Sequence, residues 1–312
     1  MDCPAPLLSD PGAYPRLRGR RHDTVSRADG AAGRTGPTIS CDPCGAQGFL
    51  PRRWMSGVVR RHQLHPGMVR VKNLKVGLHV SQATAQKTVD AIVAAEKAGV
   101  ECAWLTVGGL APDPFAIFGA AAQHTEKILF GTSIVPTFPR HPLAMAQGAI
   151  AVDSLAPGRL RLGVGPSHKP AIEGTWGIPF ERPLEHLREY LTILRGVLET
   201  GAIDHTGKRF TARGQSGAGK TGVTLMASAL RTNGFRVCGE LADGAISWVC
   251  PLPYLRDVAV PALKEGAAKA GRPVPPLIAH VPVVVSEDLD AVREGARRQI
   301  GFYPRVPFYS QM

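Results

Sequence analysis

The residues that most directly suggest chemistry are the eight from Gly214 to Thr221, which read Gly-Gln-Ser-Gly-Ala-Gly-Lys-Thr. They match the pattern GxxxxGK[ST], in which backbone N–H groups surround phosphates, the lysine contacts the terminal phosphates and the threonine hydroxyl binds magnesium. Such a loop must follow a buried hydrophobic strand, whereas residues 205–213 are polar. We therefore expect a glycine-rich surface loop here and keep a P-loop nucleotide hydrolase as an alternative.

Three histidines are candidates for acid–base chemistry, because imidazole changes its charge near neutral pH. His79 ends a predicted strand, His141 lies in a Pro-Arg-His-Pro turn, and His168 follows another predicted strand. For each of them, a structural or solvated role is the competing interpretation.

The elements that must position these residues alternate between strands and helices from residue 74 onward. Apolar runs predict strands and residues at spacings of three and four predict helices, while residues 200–222 read as a polar excursion. The predicted strands are 74–80, 100–107, 128–135, 159–165, 223–227, 244–249 and 277–286, and the predicted helices are 84–98, 114–123, 142–155, 183–199, 230–241 and 258–270.

This alternation predicts an α/β fold with a parallel sheet, either doubly wound or a (β/α)8 barrel. A barrel needs an eighth strand–helix unit, a repeat of about 30 residues. The pattern contains seven strands before Met312. We therefore expect a barrel that lacks its last strand–helix unit and a chain that is truncated at its C-terminus.

The first 67 residues differ in composition from the rest of the chain. They contain ten Arg and five Asp but no Lys and no Glu, and they are rich in Pro and Gly. We expect 1–67 to be a disordered extension, either a tail or a start-site artefact. The globular domain is then 68–312, with Met68 as a candidate natural start.

Composition also argues against several classes of protein. No apolar run approaches the roughly 20 residues that span a bilayer, so we expect no membrane partner. The net charge of +12 suggests nucleic acid, but the charge is uneven along the chain and only Tyr14, Phe49 and Trp54 accompany the basic residues of the first segment, so we expect no such partner. Cys41 and Cys44 have no second pair and no nearby histidine; we therefore expect no metal, and a reduced, cytoplasmic protein.

Three segments resemble the luciferase-like monooxygenase superfamily, and in particular its coenzyme F420-dependent branch. They are Gly131-Thr-Ser-Ile-Val-Pro-Thr-Phe-Pro-Arg-His-Pro142, Leu160-Arg-Leu-Gly-Val-Gly165 and Gly239-Glu-Leu-Ala-Asp-Gly-Ala245. The resemblance runs from about Leu74 to the C-terminus. It implies a (β/α)8 TIM barrel that holds a flavin or deazaflavin at the C-terminal face of its strands.

The resemblance also implies where the cofactor lies. Members of the family commonly carry a non-prolyl cis peptide at the end of the third strand, which here is the bond between Ser133 and Ile134. The loop after the fourth strand would line the cofactor ring and the substrate pocket. The other residues that the resemblance brings to the cofactor are Thr137, Gly165, Ser167, Ala227, Ser228, Ala229 and Gly244, the last four as ends of later strands.

Two positions depart from the pattern of the deazaflavin dehydrogenases. Relatives often place a histidine at the end of the second strand, where this chain has Thr106-Val-Gly-Gly109. Some of them have a carboxylate where His168 falls. A general-acid role is therefore not carried over, although His168 can exchange a proton near neutral pH.

The function that the resemblance implies is hydride transfer between coenzyme F420 and an unknown small organic substrate. An FMN-dependent luciferase-like monooxygenase is the alternative, because the residues alone do not separate the two cofactors. An inactive barrel fragment is the alternative outside the enzymes. A homodimer is compatible with barrels of this kind.

Overall fold

The computed structural model describes residues 75–306 and 308–312. Within this part of the chain, helices pack against a curled sheet. A separate two-stranded ribbon lies, along the chain, between the fourth and fifth strands of this sheet. The predictions made for residues 1–67, including those on Met68 and on Cys41 and Cys44, lie outside the described residues.

The strands of the sheet are all paired in parallel, in the order β1-β2-β3-β5-β8-β9-β10, with β4 also paired to β5. Strands β6 and β7 form the antiparallel ribbon. The strands are β1 (Gly77–His79), β2 (Cys102–Leu105), β3 (Leu129–Thr132), β4 (Val135–Pro136), β5 (Leu160–Gly165), β6 (Ala202–Thr206), β7 (Thr211–Gln215), β8 (Thr224–Ser228), β9 (Gly244–Trp248) and β10 (Leu277–His280).

The helices alternate with these strands along the chain. A π-helical turn at Leu255–Ala259 joins two of them, and a 3-10 turn at Tyr303–Arg305 follows the last. The helices are α1 (Ala85–Lys97), α2 (Pro114–Ala122), α3 (Pro142–Leu155), α4 (Lys169–Trp176), α5 (Pro183–Thr200), α6 (Thr232–Leu241), α7 (Leu252–Tyr254), α8 (Val260–Lys269) and α9 (Leu289–Ile300).

The sheet has the strand order of a (β/α)8 barrel, which confirms the predicted fold class. The seven predicted strands are all present, the third as β3 and β4. Within the described residues, no strand joins β10 to β1, so the barrel is open between them. Its seventh strand is shorter than the predicted 277–286, because Pro282 has no N–H to donate to a sheet ladder.

The polar excursion contains the ribbon β6–β7 instead of an irregular loop. Glu189 of α5 holds its turn, since its carboxylate accepts hydrogen bonds from the N–H groups of Lys208, Arg209 and Phe210 at 2.9 to 3.1 Å. These bonds join residues about twenty positions apart. Sequence periodicity reports only local patterns, and it therefore missed the ribbon.

Helix ends follow the local signals in the sequence. Thr84 caps α1, its side chain accepting from the Lys87 N–H at 3.2 Å. Asp113 caps α2 by accepting from the Phe115 N–H at 2.8 Å, with proline at the first helical position. Gly201 ends α5 at a φ of 75°, a left-handed conformation that favours glycine.

Two separate apolar clusters hold the sheet. The larger one lies between the sheet and the helices. The smaller one consists of the buried residues Cys102, Trp104, Met226 and Ile246, which come from β2, β8 and β9 and therefore face one another across the inside of the curl. We call this smaller group the interior cluster.

Trp104 fills much of the interior because the residues beside it have no side chain. Gly77 on β1 and Gly131 on β3 flank it, and a Cβ at either position would lie closer than 3.0 Å to the indole ring. Trp104 as a whole is 6% exposed. A packed interior is the usual condition of small barrels, and it directs ligands to the ends of the strands.

Every helix in the described part of the chain is too short or too polar to cross a bilayer.

Replacing Gly131 by alanine is expected to lower the free energy of unfolding by about 1–3 kcal/mol, because the new methyl group overpacks the buried Trp104 ring. Urea unfolding followed by circular dichroism measures the change. Gly174→Ala in α4 is the matched control, because a Cβ there meets open space and alanine favours helix. Equal effects of the two substitutions would contradict the packing argument.

Candidate active site

The carboxyl ends of the parallel strands meet at one edge of the sheet, which we call the mouth. His79 ends β1, Gly165 ends β5, Ser228 ends β8 and His280 ends β10. Parallel α/β folds bind ligands at this edge, since the loops that follow the strands converge there. The mouth is therefore the candidate active site.

The third strand is interrupted at the mouth, between β3 and β4. The peptide bond from Ser133 to Ile134 is cis, at the bond that the family resemblance indicates. The Thr106 hydroxyl donates to the Ser133 carbonyl at 3.1 Å. The Ser133 N–H donates to the Leu105 carbonyl at 2.7 Å, and the Ile134 carbonyl accepts from Val107 at 3.3 Å. The second strand and its following loop thus hold both residues in place.

On its other side, the interruption is bridged by a side chain. Thr132 is fully buried, and its hydroxyl donates to the Gly163 carbonyl and accepts from the Gly163 N–H, both at 2.8 Å. Buried backbone groups need hydrogen-bond partners. The Thr132 hydroxyl therefore supplies the hydrogen-bond partners that the Gly163 backbone would otherwise lack where the ladder between β3 and β5 is broken.

Gly165 lies close to two other mouth residues. A Cβ at this position would lie closer than 3.0 Å to Ser228 Oγ and 3.2 Å from Ile134 Cδ1. The three residues come from β5, β8 and the interruption of the third strand, so small size at position 165 allows these elements to converge.

His168 follows β5 and precedes α4, where it is half-buried. Its side chain makes no capping hydrogen bond to the helix, and its ring centroid lies 6.2 Å from that of Tyr309. Desolvation by burial lowers the pKa of His168. The ring is therefore neutral at pH 7 and can accept a proton. Ser167 before it has a φ of 63°, which non-glycine residues rarely adopt.

His79 has a neighbour that the sequence did not indicate. His280 ends β10, and its ring packs edge-on against Trp104 at 5.2 Å. Burial and, secondarily, the repulsion that a protonated His79 would exert lower the pKa of His280. His79 is exposed and its Nε2 lies 3.0 Å from Ser81 Oγ, yet partial desolvation of its ring lowers its pKa too. Two neutral imidazoles thus line the open side of the barrel.

Two predicted site residues, His141 and Thr137, have structural partners. His141 is the N-cap of α3, with Nδ1 accepting from the Leu143 N–H at 3.2 Å and its ring packed edge-on against Phe210 at 5.6 Å. Thr137 is fully buried, and its hydroxyl lies 3.0 Å from His186 Nε2. His141 Nδ1 and the Thr137 hydroxyl thus have local structural partners, and the assignment of these two residues to the site stays a prediction.

His186 of α5 is a buried histidine that sequence analysis did not single out. Its ring stacks on Phe138 at 3.9 Å and packs against Phe210 at 5.0 Å. Burial, helped by the positive charge of Arg209, lowers its pKa to about 4, although the hydrogen bond with Thr137 opposes this. His186 is therefore neutral in the folded protein and supports the loop after β4.

The expectation that Gly244 ends a strand is wrong, since it begins β9 at the opposite end from the mouth. A Cβ there would lie 2.8 Å from the Met226 side chain, so glycine serves interior packing. Ala227 and Ala229 belong to the cluster between the sheet and the helices. Of the predicted residues 227–229, Ser228 is the one whose side chain lies beside Gly165 at the mouth.

Arg231 is a mouth residue that sequence analysis missed. It is the N-cap residue of α6 but makes no side-chain capping bond. Its Nη1 is buried and has no hydrogen-bond partner in the described part of the chain. A helix N-terminus attracts anions through its free N–H groups and its dipole. The sequence offered one signal, an arginine three residues after Ser228, but only the fold shows that its Nη1 is buried.

The phosphate-loop motif does not form a phosphate loop. Its first residues lie in β7, an antiparallel ribbon strand, and β8 follows it where a P-loop would have a helix. The Thr221 hydroxyl donates to the Leu198 carbonyl at 3.1 Å. The P-loop alternative is therefore wrong. Among the described residues, no group of three or more His, Cys, Asp or Glu could hold a metal ion.

The sheet is parallel and curled, and its interior is packed. At the mouth, the third strand is interrupted and small residues surround a neutral histidine. These features define a TIM-barrel enzyme that takes its ligands at the strand ends. The family model of the luciferase-like monooxygenases matches residues 67–311. The chain belongs to this family.

Similar proteins include dehydrogenases and reductases. The chain is 30% identical over 240 residues to an F420-dependent glucose-6-phosphate dehydrogenase of Nocardia farcinica, covering 70% of each protein. The coenzyme F420-dependent tetrahydromethanopterin reductase of Methanopyrus kandleri is 25% identical, with a TM-score of 0.58 and coverage of 69% of this chain and 67% of the reductase. An F420-dependent secondary alcohol dehydrogenase solved with an F420–acetone adduct has a TM-score of 0.65 at 22% identity, with coverage of 72% and 74%, which shows the shared fold.

The stability contributed by His186 is expected to depend on pH. The unfolded chain takes up the imidazole proton near pH 6.5, whereas the folded state takes it up only near its pKa of about 4. This contribution is complete above pH 6.5 and falls by about 1.4 kcal/mol per pH unit below it. Urea unfolding between pH 7 and pH 4 should show a shallower decline in His186→Gln than in wild type. His124→Gln, at an exposed histidine, is the control; identical profiles of wild type and His186→Gln would refute the assignment.

Proposed function

We propose that this protein is a coenzyme F420-dependent oxidoreductase that transfers a hydride between the cofactor and a small organic substrate. The observation that carries the proposal is the convergence of the Ser133–Ile134 interruption, Gly165 and Ser228 at the mouth. The F420-dependent relatives support the choice of cofactor. FMN is the alternative, because the family is named for its monooxygenases.

The residues of the mouth fit a flat ring with an anionic tail. The backbone at Ser133 and Ile134 and the bare Cα of Gly165 would hold the ring, because these elements converge with Ser228 at the mouth. The buried, unpartnered Nη1 of Arg231 and the N-terminus of α6 would hold the tail phosphate. Ser228 ends β8, three residues before Arg231.

When bound, the deazaflavin supplies hydride transfer to or from carbon. The protein's part is to orient the substrate and to accept or return one proton. His168 suits this task, because it is half-buried and neutral at pH 7. His79 and His280 are the other neutral imidazoles of the mouth, and we assign them to substrate contacts on its open side.

Fluorescence titration of the purified chain with coenzyme F420, and separately with FMN, tests the proposal. We expect saturable F420 binding and weak FMN binding. Arg231→Gln should reduce F420 affinity about tenfold to hundredfold, the loss expected for a hydrogen bond to a charged group. Circular dichroism should show that this variant remains folded.

Arg236→Gln is the matched control, because Arg236 lies on the same helix but pairs at the surface with Glu265 at 2.8 Å. It should leave F420 affinity unchanged. Tight FMN binding with no F420 binding would favour the monooxygenase. Binding of neither cofactor would overturn the proposal and favour the inactive fragment.

A further inference from the structure

A cavity of about 450 Å³ lies beside the mouth, between the loop after β9, helix α9 and the C-terminal residues. Its volume is in the range of small-molecule sites. None of the catalytic or cofactor residues assigned above belongs to its wall. The lining residues that matter for its chemistry are Val249, Arg293, Arg297, Ile300, Tyr309 and Met312.

One face of α9 forms a wall of this cavity. Arg293, Ala296, Arg297 and Ile300 recur at helical spacing and all line the cavity. No residue of α9 is buried. The amphipathic face of this helix is thus turned to the cavity without being packed into the protein core.

Tyr309 lines the cavity and carries a polar group without a partner in the described part of the chain. The residue is 8% exposed, and its hydroxyl is buried without a hydrogen-bond partner in the described part of the chain. Burial, together with Tyr303 and Cys250, raises its pKa, so the hydroxyl stays protonated. Buried hydroxyls without a partner are uncommon in folded proteins. A bound ligand with an acceptor oxygen would satisfy this one.

The charge of the cavity wall is positive. Arg293 and Arg297 line it, and no Asp or Glu side chain of the described residues does. Their partners are Asp290 at 3.0 Å and Glu294 at 3.7 Å, and all four side chains are more than half exposed. Exposed pairs of this kind contribute little, and each guanidinium keeps further N–H donors. Both arginines can therefore bind an anion at the rim.

The cavity adjoins the candidate active site through three contacts. The ring of Tyr309 lies 6.2 Å from that of His168, and Tyr303 lies 6.2 Å from Trp248 at the end of β9. Val249 has a φ of 51°, rare for a β-branched residue, and its N–H donates to the His280 carbonyl at 3.1 Å. A ligand in the cavity would extend towards the neutral imidazoles.

We propose that this cavity binds the substrate and that the substrate is an amphipathic organic anion. Its apolar body fills the cavity, its carboxylate or phosphate group meets Arg293 and Arg297, and the Tyr309 hydroxyl donates to one of its oxygens. This inference rests on the proposed function, because it places the substrate of that same active site.

Isothermal titration calorimetry on the full chain without cofactor tests the inference. The probes are 4-phenylbutyrate and 4-phenylbutan-1-ol, which share an apolar body and differ in charge. We expect the acid to bind at least tenfold more tightly than the alcohol. Arg293→Gln/Arg297→Gln should bring the two affinities together, and Tyr309→Phe should weaken binding of the acid about fivefold. Phenylbutyl phosphate, as a third probe, identifies the preferred acid group.

Arg298→Gln is the matched control, because Arg298 lies on the same helix and near the same Glu294 but does not line the cavity. It should leave the preference for the acid intact. An equal effect of Arg298→Gln, or no saturable binding of the acid, would overturn the inference. F420 binding without probe binding would leave the proposed function standing. Probe binding without F420 binding would support the site and refute the proposed function.

Discussion

The Thr132 hydroxyl bridges the third and fourth barrel strands where their backbone ladder is broken. Because of this bridge, the chain can leave the regular strand path at Ser133 while the buried N–H and C=O groups of Gly163 keep their hydrogen-bond partners. With Thr106 holding the opposite side, the interruption becomes a fixed part of the mouth. The ends of β5 and β8 can then pack against it through Gly165.

The packed interior imposes the second constraint. Trp104 occupies the space inside the curl because Gly77 and Gly131 leave room for its ring. A ligand therefore cannot enter between the strands. The chemistry is confined to the loops that follow them. Two side chains that face these loops, His168 and His280, have pKa values that burial lowers.

Much of the fold could be predicted because its signals are local. Asp113 followed by proline fixes the start of α2, and Pro142 fixes that of α3. The apolar runs 128–135 and 159–165 locate adjacent strands. The ribbon β6–β7 escaped prediction because a distant carboxylate, Glu189, holds its turn.

The positions of residues at the mouth were predictable only where motif and strand end coincide, as at Ser133, Gly165 and Ser228, and their role in cofactor binding stays a prediction. Arg231 and Tyr309 carry no motif, and what marks them is a polar atom buried without a partner, which only packing creates. Gly244 was assigned wrongly for a different reason. A glycine before an apolar run can begin a strand as readily as end one, and Gly244 begins β9. Residue types thus indicate the chemistry available to the mouth, while the direction of each strand decides which residues reach it.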